Sequence, residues 1–329
     1  MKKNTLLTIL AAASLGVQAL PYAPQPSSTT AVKGTEEYIK YGNFDQWMRR
    51  DVQESKVLGG KTVTLYEIAP AAHWTTNKAY TNQGGSPWAT SNAYAKVAGI
   101  TKTNISVYKE ERPGHGSCAK LYTHLVECKV LGIVNIKVLA AGSLFLGELQ
   151  EPITGAGDPM KKLNCGMKLT KRPKAVRFDY KVKLSGEKNR IRKGTGRQTT
   201  VSGMDLCDAY AFVQKRWEDA AGNIHALRLG TMVVRWNKNT ADWVNDATYE
   251  IHYGDITATP YYKSYMKLNE VQRYAKNSKG KIMPIIEEGW GTDEDQPTHI
   301  VMAFDSSHGG AYVGSVGNTL WVDNVRLVY

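Results

Sequence analysis

The chain has 329 residues, with 42 Lys and Arg against 30 Asp and Glu, a net charge of +12, and 42% hydrophobic residues. That length can bury one large core, and no apolar run approaches the ~20 residues that a membrane-spanning helix needs. In a chain this basic the charge suits acidic glycans, anionic surfaces or DNA in the environment, or it is simply a solvated face.

The N-terminus reads as a secretory leader. Lys2 and Lys3 precede an apolar stretch from Leu6 to Gly16, and Val17-Gln18-Ala19 forms a small-x-small site, with cleavage expected after Ala19. Residues 20–40, opening LPYAPQPSSTT, are rich in Pro, Ser and Thr and read as a tether. Residues 41–329 then form a single domain with no internal repeat. The expected location is outside the cytoplasm: periplasmic, surface-associated or secreted.

Within the domain, Asn43-Phe44-Asp45-Gln46-Trp47 opens amphipathically, and Thr62 to Ile68 has strand composition. Residues 69–98 read as a long loop carrying His73, Trp74, Tyr80, Trp88, Asn92 and Tyr94, whose rings either plug the interior or line a site. Strands are expected over Ser117 to Val130 and Leu131 to Leu149. Ala175 to Leu184 alternates cleanly: Val176, Phe178, Tyr180, Val182 and Leu184 face one way, Arg177, Asp179, Lys181 and Lys183 the other. A basic loop follows, within a region, 168–197, crowded with Lys and Arg.

Leu206 to Trp217 and Ala226 to Trp236 flank Gly222-Asn223 as a hairpin. Asp246 to Asp255 reads as one alternating strand with Glu250 and His252 on a shared face. Tyr261 to Ala275 gives the only helical spacing. The last thirty residues hold two apolar β-rich runs, Ile300 to Phe304 and Leu320 to Tyr329, joined through Gly309, Gly310, Gly314 and Gly317. The first, apolar at every position, suits a strand covered on both faces. Many short strands, Gly-rich turns and almost no helix predict an all-β fold: a two-sheet antiparallel sandwich of jelly-roll type with long loops and at most one or two short helices. Cys118, Cys128, Cys165 and Cys207 have no CxxC spacing and allow three pairings, with Cys207 read as a buried free thiol.

The order of Asn43-Phe44-Asp45-Gln46-Trp47, Pro87-Trp88-Ala89-Thr90-Ser91-Asn92, Gly142-Ser143-Leu144-Phe145-Leu146-Gly147, Arg177-Phe178-Asp179-Tyr180-Lys181 and the segment from Ser306-Ser307 to Asp323 resembles the "putative carbohydrate metabolism domain" family of Bacteroidetes. The resemblance covers residues 41–329. It implies a jelly roll similar to those of glycoside hydrolases and carbohydrate-binding modules, with a sugar pocket on one sheet. In similar sugar-binding jelly rolls an acid at the position of Asp323 helps hold a structural Ca²⁺, with Asp45 as the partner near the first strand; the alternative is an Asp323 that only accepts hydrogen bonds.

A sugar site needs flat rings to stack on a pyranose and planar polar groups to bridge its hydroxyls. Trp74, Trp88, Asn92, Lys181 and His252 are the candidates. Glycoside hydrolysis needs two carboxyl groups, and Glu148 and Glu250 are the expected pair. No HExxH, GxxxxGK[ST] or GxGxxG occurs, so zinc and nucleotide chemistry have no support in the sequence. The expected function is recognition or metabolism of a poly- or oligosaccharide. A glycoside hydrolase is one alternative, and a surface or adhesin component contacting other cell-surface proteins another; nucleic acid is not an expected partner.

Overall fold

A computed structural model describes residues 32–80, 82, 84–130, 134–155, 157 and 159–329. The leader, residues 20–31 of the tether and the Gly132 turn lie outside the described residues. Among the described residues the fold is all-β, with three single turns of 3-10 helix at Lys56–Leu58, Pro159–Lys162 and Ser264–Met266, and no helix is long and apolar enough to cross a membrane.

Two sheets form the sandwich. The six-stranded sheet runs Val244–Glu250, Ala175–Lys183, Thr319–Val328, Ser117–Tyr122, Val107–Glu111, with Glu36–Tyr38 also paired to the C-terminal strand. The ten-stranded sheet is ordered Leu163–Cys165, Ser143–Leu149, His299–Asp305, Cys207–Glu218, Ile224–Trp236, Ile282–Trp290, Tyr274–Lys276, and short strands such as Trp88–Thr90 branch from it. The two C-terminal runs therefore lie in opposite sheets, each in an interior position. Among the strands of the described residues, pairing is antiparallel except between Ile224–Trp236 and Ile282–Trp290 and between Trp47–Gln53 and His73–Thr75, which are parallel.

The inward phase of Ala175–Lys183 meets the other sheet directly: the Phe178 ring packs edge-on against Phe304 at 4.9 Å and Trp236 at 6.2 Å. In Thr319–Val328 the residues that enter the main core cluster are Leu320, Val322, Val325 and Leu327, so the two-residue period slips once. The slip is a bulge. Asn324 has a φ of 54°, and the register with Ala175–Lys183 shifts beside it. An extra residue there lets both halves of the strand keep an apolar inner face.

Three expectations are corrected. Glu36–Tyr38, assigned to the tether, is an edge strand whose neighbour Thr35 exchanges backbone hydrogen bonds with Tyr329. Residues 69–98 hold three short strands, His73–Thr75, Trp88–Thr90 and Ala93–Val97, and the segment from Tyr261 to Ala275 contains only one 3-10 turn and the start of a strand. The spacing of Tyr265, Leu268, Val271 and Ala275 marks no common face: Tyr265 packs against one cluster, Ala275 is buried in another, and Val271 is exposed.

All four cysteines are unpaired and buried. Burial pushes the Cys118 thiol up to about 12 and that of Cys207 well above its ordinary range. Ellman's reagent is therefore expected to leave the native protein unmodified and to titrate all four thiols in denaturant, because only an exposed thiolate reacts. Fast native labelling of even one would show that its strand opens.

Candidate functional site

A cavity of about 560 Å³ opens where the ten-stranded sheet meets a small three-stranded sheet made of Thr62–Ile68, Trp47–Gln53 and His73–Thr75. Its walls include Glu67, Tyr80, Trp88, Asn92, Glu148 and Glu151. In the strand from Thr62 to Ile68, Leu65 and Glu67 share the inner phase, and in Trp47–Gln53 so do Met48, Arg50 and Val52. The register sets Met48 opposite Glu67 and Arg50 opposite Leu65. Arg50 is thus the diagonal neighbour of Glu67, within reach of a long side chain.

Arg50, fully buried, donates from Nη1 to Glu67 Oε1 at 2.7 Å and from Nη2 to Glu151 Oε2 at 2.7 Å. Glu151 also accepts the backbone N–H groups of Tyr80 at 2.8 Å and Tyr94 at 2.7 Å. Its lone pairs are therefore occupied, and it acts as an anchor. Glu67 keeps more freedom: among the described residues, beyond Arg50, its other oxygen accepts only a long 3.3 Å bond from the Thr90 hydroxyl. Burial, resisted by Arg50 and reinforced by the Glu151 charge, pushes the Glu67 carboxyl up to about 7. One guanidinium serves two carboxylates, and its share at Glu67 does not offset the cost of burying that charge.

Glu148 stands on the opposite wall with its side chain 42% exposed, held through Oε2 by Lys276 at 3.1 Å and Asn164 at 3.3 Å. Gly147 places it there. With φ at 143°, a Cβ at that position would sit 2.1 Å from the Asn164 carbonyl oxygen, so only glycine lets the strand turn this acid into the cavity. Half-exposed Tyr80 completes the wall, lying under Arg50 at 5.0 Å, and half-exposed Trp74 packs against Tyr80 at 6.3 Å from beside the cavity.

Of the residues expected from sequence, Trp88, Asn92 and Glu148 come together on this cavity, and Trp74 stands beside it. Two of them have other duties. Trp88 is 1% exposed, its ring against Phe44 and its Nε1 donating to the Lys40 carbonyl at 3.0 Å, so it is the floor and offers no face for stacking. Asn92 donates to the carbonyls of Tyr66 and Val107 and accepts from the amides of Ser106 and Val107, which leaves no polar group for a ligand.

The remaining candidates are scattered. Glu250 ends an outer strand of the six-stranded sheet, whereas His252 begins a short strand of the other sheet, because the chain crosses over at Ile251; the expected shared face does not exist. His252 stacks on Tyr261 at 3.8 Å, and burial lowers its imidazole pKa. Lys181 lies on the outer face of the six-stranded sheet, over Trp321. Asp323, fully buried, pairs with Arg112 at 2.6 Å, while exposed Asp45 accepts from Asn43 and the Ser117 amide. The cation beside Asp323 in this structure is the Arg112 guanidinium, and among the described residues no group of three or more His, Cys, Asp or Glu is placed to hold a metal ion. Glu67, Arg50 and Glu151 are absent from the sequence-derived set. The available signal was a charge on the apolar phase of each of two strands.

Residues 61–328 match the model of a family described as "Putative carbohydrate metabolism domain". No curated protein matches the chain. Among solved structures, a "putative glycoside hydrolase" from Bacteroides thetaiotaomicron aligns with a TM-score of 0.43 at 18% identity, covering 82% of this chain and 76% of its own. Another from Bacteroides vulgatus aligns with a TM-score of 0.41 at 16% identity, covering 68% of this chain and 77% of its own. With a match over most of its length, the chain belongs to the "putative carbohydrate metabolism domain" family, and its role is carbohydrate-related.

Proposed function

We propose that the chain is an exported glycoside hydrolase whose reaction takes place between Glu67 and Glu148. The observation that carries this reading is Glu67 itself: a carboxyl lining an open cavity, held by Arg50, and protonated up to about pH 7 by its burial. A protonated carboxyl beside a glycosidic oxygen is the acid that such hydrolysis requires, and a second, ionised carboxylate must attend the anomeric carbon or its water. Glu148, more exposed and paired with Lys276, is the second carboxyl group on the cavity. Tyr80 and Trp74 supply the rings on which a pyranose stacks. Arg50 and Glu151 fix the Glu67 rotamer and its proton affinity. The export leader read at residues 1–19 puts such an enzyme where polysaccharide is available.

The test is reducing-end release from a panel of plant, algal and host polysaccharides. The expected result is cleavage of at least one polymer by the wild type, with Tyr80→Ala raising KM more than it lowers kcat. Saturable binding of a polysaccharide, with no release from any member of the panel at pH 5 to 8, would overturn the catalytic reading in favour of a binding module.

A further inference from the structure

A second hollow, of about 710 Å³, lies on the outer face of the six-stranded sheet and is lined by Tyr108, Lys120, Tyr122, Lys183 and Trp321 among others. The pairing registers order these side chains. Tyr108 is opposite Lys120, Lys120 opposite Trp321, and Trp321 opposite Lys181, so four neighbouring strands present ring, ammonium, ring, ammonium along one rung. The next rung sets Tyr122 opposite Thr319 and Thr319 opposite Lys183. Strands lie about 4.8 Å apart, so the two lysines beside Trp321 stand roughly 10 Å from each other.

The ring is fixed. Trp321 Nε1 donates to Glu110 Oε1 at 2.7 Å, and Glu110 also pairs with Lys120 at 2.7 Å. Lys181 and Lys120 hold their ammonium groups 4.6 Å and 5.5 Å from the indole centroid. Among the described residues no carboxylate pairs with Lys181 or Lys183; Glu187, at the rim, is the other acid on the hollow. A half-exposed indole clamped by its N–H, with cations on either flank, suits a pyranose that carries its own negative charge: the sugar ring stacks while its carboxylate meets an ammonium. Neutral sugars would gain only the first of these contacts.

From this juxtaposition we propose that the outer face of the six-stranded sheet is a binding site for an acidic polysaccharide, specifically one rich in uronic acid, separate from the Glu67 cavity. The site holds polymer by stacking on Trp321 and Tyr108 and by pairing with Lys120, Lys181 and Lys183. It stands independently of the catalytic reading, since no residue is shared between the two hollows.

The test is affinity electrophoresis and titration calorimetry with polygalacturonate, alongside dextran, polyglutamate and double-stranded DNA. Wild type is expected to bind polygalacturonate saturably and dextran weakly. The double substitution Lys181→Gln, Lys183→Gln should weaken binding roughly tenfold or more with its melting temperature unchanged, and Trp321→Ala should do so where that variant folds. Glu67→Gln should bind as wild type does, so loss of catalysis and loss of this site read out separately. Equal affinity for polyglutamate or DNA would reduce the face to a general cation patch and overturn the proposal, as would unchanged polygalacturonate binding in the double variant.

Discussion

Replacing Glu67 by Gln is expected to lower kcat on a polysaccharide by ~10²–10⁴-fold, the range that general acid catalysis contributes. The variant should fold, because an amide oxygen can still accept the Arg50 bond and Thr90 lies on its other side. The pH profile carries the sharper test. With its carboxyl pushed up to about 7, Glu67 is the proton donor below that pH, and wild-type kcat/KM should decline above it. The alkaline limb should be absent in the variant. Aryl glycosides whose leaving group needs no proton should be cleaved by the variant at rates much nearer the wild type. Linkage gives a companion sign: a carboxyl raised above its ordinary 4.5 adds stability that is full below about pH 4.5 and is lost as pH rises through about 7. The Gln variant should therefore show a flatter dependence of unfolding free energy across that interval. Retention of polysaccharide activity within threefold of wild type would remove Glu67 from the chemistry.

Glu67 also illustrates what the sequence makes legible. Fold class follows from local periodicity, which survives without knowledge of partners: Ala175 to Leu184 alternates, and its apolar phase is buried throughout. Ile300 to Phe304 is apolar throughout because both faces of that strand are covered. Period-two reasoning fails where the backbone breaks phase. Glu250 and His252 are two residues apart, yet the strand ends between them and the chain changes sheet at Ile251. A bulge at Asn324 likewise turns one apolar phase into two.

Sites are less legible because they are assembled across elements. Glu148 could be named, being an acid on a strand, but the sequence cannot show that its strand and those bearing Glu67 and Arg50 meet around one hollow. Trp88 and Asn92 have the composition of a sugar site and the burial of a core. Charge on an apolar phase is the usable clue, and it points to Glu67 and Arg50 at once: a buried carboxyl or guanidinium persists only with a partner.

Arg112→Met is expected to cost ~3–5 kcal/mol of folding stability at pH 7.5, the loss seen when one member of a buried ion-pair set is removed. Arg112 begins the turn between Val107–Glu111 and Ser117–Tyr122, is 3% exposed, and reaches across the six-stranded sheet. Its Nη1 donates to Asp179 Oδ2 at 2.8 Å and Asp323 Oδ2 at 2.6 Å, its Nη2 to Asn245 at 2.7 Å, and its Cζ lies over the Trp243 ring, 4.0 Å from the centroid. Four segments are joined through this one cation. Asp323 is raised by burial to about 6 despite Arg112, whereas hydrogen bonds from Asn324, the Asp246 amide and Arg112 overcome burial at Asp179 and hold it low. The signs differ accordingly. Asp323 contributes stability that is full below its ordinary 3.8 and lost as pH rises through about 6, while Asp179 contributes stability that fades as pH falls through its depressed value. Without the guanidinium, burial raises both carboxyls, so each must stay protonated or sit charged and unpaired. The deficit of Arg112→Met should therefore shrink when guanidinium denaturation is repeated at pH 5, with Trp243 fluorescence changing even in the folded variant. Arg112→Lys should recover only part of the loss, because an ammonium cannot bridge two carboxylates and lie flat on an indole in the same geometry. A deficit below ~1 kcal/mol at pH 7.5, or one that does not change between the two pH values, would mean that Asp179 and Asp323 find water or protons without strain and that the Arg112 cluster does not hold the sheet together.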